Sequence, residues 1–128
     1  MNAIAVKAAR PARVLVIDDE EIVHLSLRRV LEKRGFDVGC TLSATRGLAL
    51  TREQGWDLII ADLMMPELDG IHLLRTLAER GNRTPIVIIT AYPTVETAVR
   101  AIRLGAVDFL PKPFTNQEIL GAIDRALA

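Results

Sequence analysis

The sequence predicts a doubly wound α/β fold: one open parallel sheet with helices on both faces. Three observations carry that prediction. Short apolar runs without polar alternation recur along the chain, the pattern of strands buried on both sides. Between them lie stretches with apolar residues at i, i+3 and i+4, and such strand and helix alternation implies parallel strands joined by helical crossovers. The chain has 128 residues, half of them hydrophobic and a quarter charged, which suits one domain around one sheet and excludes the composition of a disordered chain.

The elements follow in order. Residues 1–11 are small, mixed and aperiodic and end at Pro11; they read as a flexible leader to a domain over 12–128. Arg13-Val14-Leu15-Val16-Ile17 is a β-branched run that stops at Asp18-Asp19-Glu20. Val23, Leu27, Val30 and Leu31 then recur at helical spacing up to Gly35, with acidic residues at the start suiting the helix dipole. A second strand is expected over Phe36 to Thr41, followed by a helix opened by Ser43. Asp57-Leu58-Ile59-Ile60-Ala61 forms the third run and ends at Asp62. The turn through Pro66 and Asp69-Gly70 leads to a helix carrying Ile71, Leu74 and Ala78, with Gly81 behind it. Pro85-Ile86-Val87-Ile88-Ile89-Thr90 is the fourth run, and Val95, Ala98, Val99 and Ile102 mark the next helix. Gly105 ends that helix, Ala106 to Leu110 reads as a last strand, and Ile119, Leu120, Ile123 and Leu127 mark a final helix.

Composition excludes several functions. Sixteen basic residues balance sixteen acidic ones, so there is no basic footprint for direct nucleic-acid contact and no polybasic membrane patch. The single Cys40 can form neither an internal disulfide nor a cysteine metal cage, and no apolar run is long enough for a signal or spanning segment. A cytoplasmic domain is expected.

In an open parallel sheet the functional site lies beyond the carboxyl ends of the strands. There the sequence puts Asp18, Asp19, Asp62, Thr90 and, just after the last strand, Lys112. Three carboxylates at one edge repel one another unless a positive charge sits among them. A hard divalent cation with oxygen ligands meets that need, and Mg²⁺ takes one or two carboxylates plus waters and phosphate. Lys112 adds a point charge for a phosphoryl oxygen and the Thr90 hydroxyl a hydrogen-bond donor. Such a set suits phosphoryl transfer to an aspartate.

These residues sit in four motifs: Val16-Ile17-Asp18-Asp19-Glu20; Asp57 to Pro66 with Asp69-Gly70; Ile89-Thr90-Ala91; and Gly105 to Phe114, which includes Pro111-Lys112-Pro113-Phe114. With all four in order over about 12–128, the chain resembles the receiver domains of bacterial two-component response regulators. The resemblance implies a flavodoxin-like (βα)5 fold with strand order 2-1-3-4-5. It also implies Asp62 as phosphoacceptor, Asp19 as direct Mg²⁺ ligand, Asp18 as ligand through water, and the Met64 carbonyl as backbone ligand beside Asp62. Thr90 and Lys112 would bind the phosphoryl group, and Thr90 and Phe109 would be the switch residues, Thr90 moving towards the phosphoryl group as Phe109 turns inward. A cis Lys112-Pro113 bond follows from the same motif. The implied partners are a sensor histidine kinase or phosphotransfer protein, an output domain in cis or a separate protein, and a second copy in a phosphorylation-dependent homodimer. The switching surface would be the fourth helix, fifth strand and fifth helix. The chain stops at its last helix, consistent with a single-domain regulator or with a receiver from a longer protein.

Two other readings compete. A hydrolase resembling the haloacid dehalogenase group needs an acid two residues after the nucleophile, where this chain has Met64. A pseudo-receiver would lack acceptor-site residues, and here all are present. His24 and His72 lack partners at ligand spacing and read as surface or boundary residues. Asp69-Gly70 reads as a turn, and Cys40, Trp56 and Met65 read as packing. Arg28-Arg29 and Lys33-Arg34 read as a solvated or kinase-docking edge.

Overall fold

The apolar runs form five parallel strands, β1 (Arg13–Ile17), β2 (Asp37–Thr41), β3 (Leu58–Asp62), β4 (Ile86–Thr90) and β5 (Asp108–Pro111). In this computed structural model, which describes residues 10–53, 55–66 and 68–128, they pair in the order β2-β1-β3-β4-β5. The leader anticipated over 1–11 lies outside the described residues except for Arg10 and Pro11. Five helices connect and cover the strands: α1 (Glu21–Lys33), α2 (Ala44–Glu53), α3 (Gly70–Glu79), α4 (Val95–Arg103) and α5 (Asn116–Leu127).

Strand alternation divides the core in two. Val14, Val16, Leu58, Ile60, Val87 and Ile89 face α1 and α5, where Leu27, Leu31, Ile119 and Ile123 meet them. Leu15, Ile17, Ile59, Ala61, Ile86 and Ile88 face the opposite layer, which includes Ala44, Ile71, Leu74 and Ala101. Register places Val16 beside Ile60 and Ile60 beside Val87, so the three central strands carry apolar residues on both faces. Trp56 and Met65 pack as expected, against the α2, α3 and α4 side.

Helix ends explain the small boundary shifts. Gly35 adopts φ 88° and the Phe36 N–H returns to the Leu31 carbonyl, so Phe36 closes α1 and β2 begins one residue later. Gly105 at φ 106° does the same for α4: the Ala106 N–H bonds to the Ala101 carbonyl, and pairing with β4 starts only at Val107. Ser43 accepts from the Arg46 N–H at the start of α2, and Asp69 caps α3 through the His72 N–H. Thr94 and Thr115 open α4 and α5 with capping boxes.

One helix orients differently from its sequence pattern. The stripe Val95, Val99 and Ile102 on α4 is exposed, and Ala101 is the buried residue of that helix. Among the described residues, no helix is long and apolar enough to cross a membrane.

Candidate functional site

Each central strand ends in a polar residue at the same sheet edge. Asp18, directly after β1, is fully buried. Its N–H donates to the Thr41 carbonyl at 3.2 Å, its Oδ1 accepts from the Glu20 N–H at 2.8 Å, and its carbonyl accepts from His24 Nε2 at 2.7 Å. Asp62 ends β3, is nearly buried, and accepts from the Met64 N–H at 3.2 Å. Thr90 ends β4 buried, with its Oγ1 accepting from the Tyr92 N–H at 3.1 Å. The Thr90 carbonyl takes the Lys112 N–H at 2.7 Å, which ties the chain after β5 to the end of β4. The Lys112-Pro113 bond is cis, as the motif implies.

The Lys112 ammonium lies 2.8 Å from Asp18 Oδ2, 3.1 Å from Glu20 Oε1 and 3.4 Å from Asp62 Oδ2. Burial alone would lower its pKa, but the adjacent Asp18 carboxylate, joined by Glu20 and Asp62, leaves it raised. Asp62 goes the other way from a typical salt-bridged acid. Burial, then the charge of Asp18, raise it to about 6, and the Met64 N–H and Lys112 only partly offset this. One ammonium is therefore too little positive charge for this edge.

The donor set fits a hard cation. Asp18, Glu20 and Asp62 offer carboxylate oxygens that all lie within 4.8 Å of one another. Asp18 Oδ2 is buried with the ammonium beside it but has no aligned hydrogen bond. Oxygen-only carboxylate ligands suit Mg²⁺ and not softer metals.

Asp18, Asp62 and Lys112 thus converge, with Thr90 on the adjoining strand end. Asp19 is exposed and outside the three-carboxylate group. Met64 extends an exposed side chain from the loop after β3, and Phe109 is half-buried against the α2, α3 and α4 side. Glu20 was missed: its only signal is the third position of the acidic triplet, two residues after Asp18. His24 is not a surface or boundary residue, because the Asp18 carbonyl draws its ring into the interior. Asp69-Gly70 is more than a turn. A Cβ on Gly70 would lie 2.7 Å from Leu63 Cα and 2.9 Å from the Asp62 carbonyl oxygen, and the Gly70 N–H donates to the Leu63 carbonyl at 2.7 Å. Glycine lets α3 start directly against the backbone that carries Asp62.

Comparisons with known proteins identify the family. The family model for the response regulator receiver domain matches residues 14–124. The chain is 38% identical over 115 residues to the regulatory protein AtoC of Escherichia coli (strain K12), covering 90% of this chain and 25% of that protein. It is 39% identical over 117 residues to the response regulator MprA of Mycobacterium sp. (strain KMS), covering 91% of this chain and 50% of that protein. The chain therefore spans a quarter to a half of the length of these relatives. A crystal structure of FixJ-N superposes with a TM-score of 0.84 at 38% identity, covering 92% of this chain and 94% of that one.

Proposed function

The chain belongs to the response regulator receiver family, and from that premise we propose that it accepts a phosphoryl group from a sensor histidine kinase or phosphotransfer protein onto Asp62. The observation that carries this reading is the Lys112 ammonium set between the buried Asp18 and Asp62 carboxylates at the carboxyl edge of the sheet. An Asp62 oxygen attacks phosphorus as the bond from phosphorus to the donor nitrogen breaks, and the imidazole leaves with the electron pair. Lys112 moves its charge onto the developing phosphoryl oxygens, and the Thr90 hydroxyl turns from the Tyr92 N–H to donate to one of them. Mg²⁺, when bound, neutralises the clustered carboxylates and the incoming oxygens. Asp18 and Asp62 would hold it, with Asp19 and the Met64 carbonyl completing the set that the family motif implies.

The output follows from charge. A new phosphoryl group gives Thr90 a partner in one state that it lacks in the other, and this differential interaction is what shifts a population. Phe109, lining the cluster that holds Ala101 and Ala106, turns further inward as Thr90 moves. The surface that changes is α4, β5 and α5. Val95 is 83% exposed and, with Val99, Ile102 and Val107, gives this surface an apolar stripe that suits an output domain in cis, a separate protein or a second copy. The domain acts as a cytoplasmic signalling switch.

Incubation with acetyl phosphate and Mg²⁺, read by intact mass, tests the acceptor. The parent gains one phosphoryl group and Asp62→Ala gains none; an undiminished adduct in Asp62→Ala refutes the assignment.

A further inference from the structure

Glu20 sits at the N-cap of α1, where a side-chain oxygen ordinarily accepts from the first-turn N–H groups, yet its side chain makes no capping bond. Its Oε1 is instead 3.1 Å from the Lys112 ammonium. The Glu20 side chain is 55% exposed while that of Asp18 is 0% exposed, so Glu20 is the outermost member of the three-carboxylate group. Its backbone is held in place, because its N–H is bonded to Asp18 Oδ1. With Lys112, Ala91 and Phe114 it also lines a cavity of about 410 Å³ beside the acidic edge.

We propose that Glu20 is a specificity-determining residue for phosphoryl transfer, a fixed negative charge at the mouth of the site that disfavours dianionic phosphodonors against donors with less negative charge. This rests on Asp62 being the acceptor. Acetyl phosphate and phosphoramidate isolate the effect. In each case an O–P bond forms at Asp62. With the first, the P–O bond breaks and acetate leaves with the electron pair; with the second, the P–N bond breaks and the nitrogen, already protonated, leaves as ammonia. The second donor approaches with one negative charge fewer. A Glu20 that only restrains Lys112 would alter both rates by one factor, whereas a Glu20 that filters charge alters their ratio.

The test measures both rates by intact mass at saturating Mg²⁺ and low ionic strength in the parent, Glu20→Gln and Glu21→Gln. Glu21 is an acidic residue in the first turn of α1, so its substitution makes the same change in net charge. Glu20→Gln should raise the ratio of acetyl phosphate to phosphoramidate rates about three- to tenfold, the scale of one solvent-exposed charge acting over several ångströms through water. Glu21→Gln should leave the ratio in place. Added salt should raise the ratio in the parent more than in Glu20→Gln, since screening removes only a charge that is there. An unchanged ratio in Glu20→Gln, an equal rise in Glu21→Gln, or a parent ratio indifferent to salt overturns the inference. No adduct from either donor in any protein overturns the phosphoacceptor reading itself, and the filter with it.

Discussion

Ile60 and Asp62 stand two residues apart on β3, on the same face by the alternation of a strand, and their surroundings are opposite. Ile60 is wholly covered, flanked in register by Val16 and Val87 and capped by the helices of the α1 and α5 layer. Asp62 is nearly as well covered, but its neighbours are a second buried carboxylate and one ammonium. The interior of the strand contributes stability through apolar burial. Its last residue is held in a place unfavourable to its charge, and that is where the chemistry is. The same strands that build the core thus deliver Asp18, Asp62 and Thr90 to a single edge, where two buried carboxylates share one ammonium at a cost in stability.

The largest test of this contrast is Ile60→Ala. Removing a fully buried branched side chain and leaving part of the space empty should cost about 2–5 kcal/mol. The urea midpoint should fall accordingly, while phosphorylation by acetyl phosphate persists wherever the variant remains folded. A loss below about 1 kcal/mol would mean that the central strands do not carry the stability assigned to them.

Asp62→Asn should move stability in the opposite direction. A carboxyl raised to about 6 from an ordinary 3.8 is unfavourable to the fold when ionised. Below the unfolded-state value, both states are protonated and the fold is at its most stable with respect to this group. Stability is then lost as pH rises through the window from about 4 to about 6, and the loss is complete above it. Without Mg²⁺ at neutral pH, Asp62→Asn should therefore be more stable than the parent by about 1–2 kcal/mol once solvent screening at this edge is allowed for. The gap should close on acidification and shrink on addition of Mg²⁺ to the parent, which binds the folded state. Urea titrations at several pH values check this; a variant no more stable than the parent at neutral pH would show that Lys112 already balances the edge.

How far the sequence could be read follows the same division. The apolar run before Asp62 sets its strand, and the end of that run sets its edge, so local pattern alone placed Asp62, Asp18, Thr90 and Lys112 together; it placed Asp19 there too, which the structure leaves exposed outside the three-carboxylate group. Glu20 was illegible because an acidic residue at a helix start already has an ordinary explanation in the helix dipole; only the position of Lys112, 92 residues away, shows another. His24 was illegible because the acceptor it satisfies, the Asp18 carbonyl, exists only once β1 ends beside α1. On α4, periodicity revealed that one side is apolar but not which side meets the sheet, and the stripe proved to face outward. The closeness of Gly70 to the Asp62 carbonyl is likewise a tertiary fact behind an ordinary turn dipeptide.

The smallest effect concerns the lifetime of the phosphoryl group and separates the covered floor of the edge from its open rim. The floor residues Asp18, Asp62 and Thr90 are buried, whereas Met64, two residues after Asp62, is 53% exposed and Tyr92, two after Thr90, is 70% exposed. These two positions, each two residues past a floor residue, are where the expected route of a hydrolysing water is tested. Polar groups there could orient it, but a thioether is only a weak acceptor and cannot act as a general base. The Tyr92 N–H bonds to Thr90 Oγ1, and a bulky phenol on that loop is expected to narrow the approach. The aspartyl phosphate should accordingly decay slowly, over many minutes or longer, as suits sustained control over rapid response. Met64→Asn and Tyr92→Ala should each shorten the half-life a few-fold, because neither changes the groups that hold the phosphoryl oxygens. Decay of the phosphorylated chain, followed by intact mass after removal of the donor, measures this directly. A parent half-life of seconds, or variants that decay no faster than the parent, would place control of hydrolysis in the buried floor and leave the rim without a part in it.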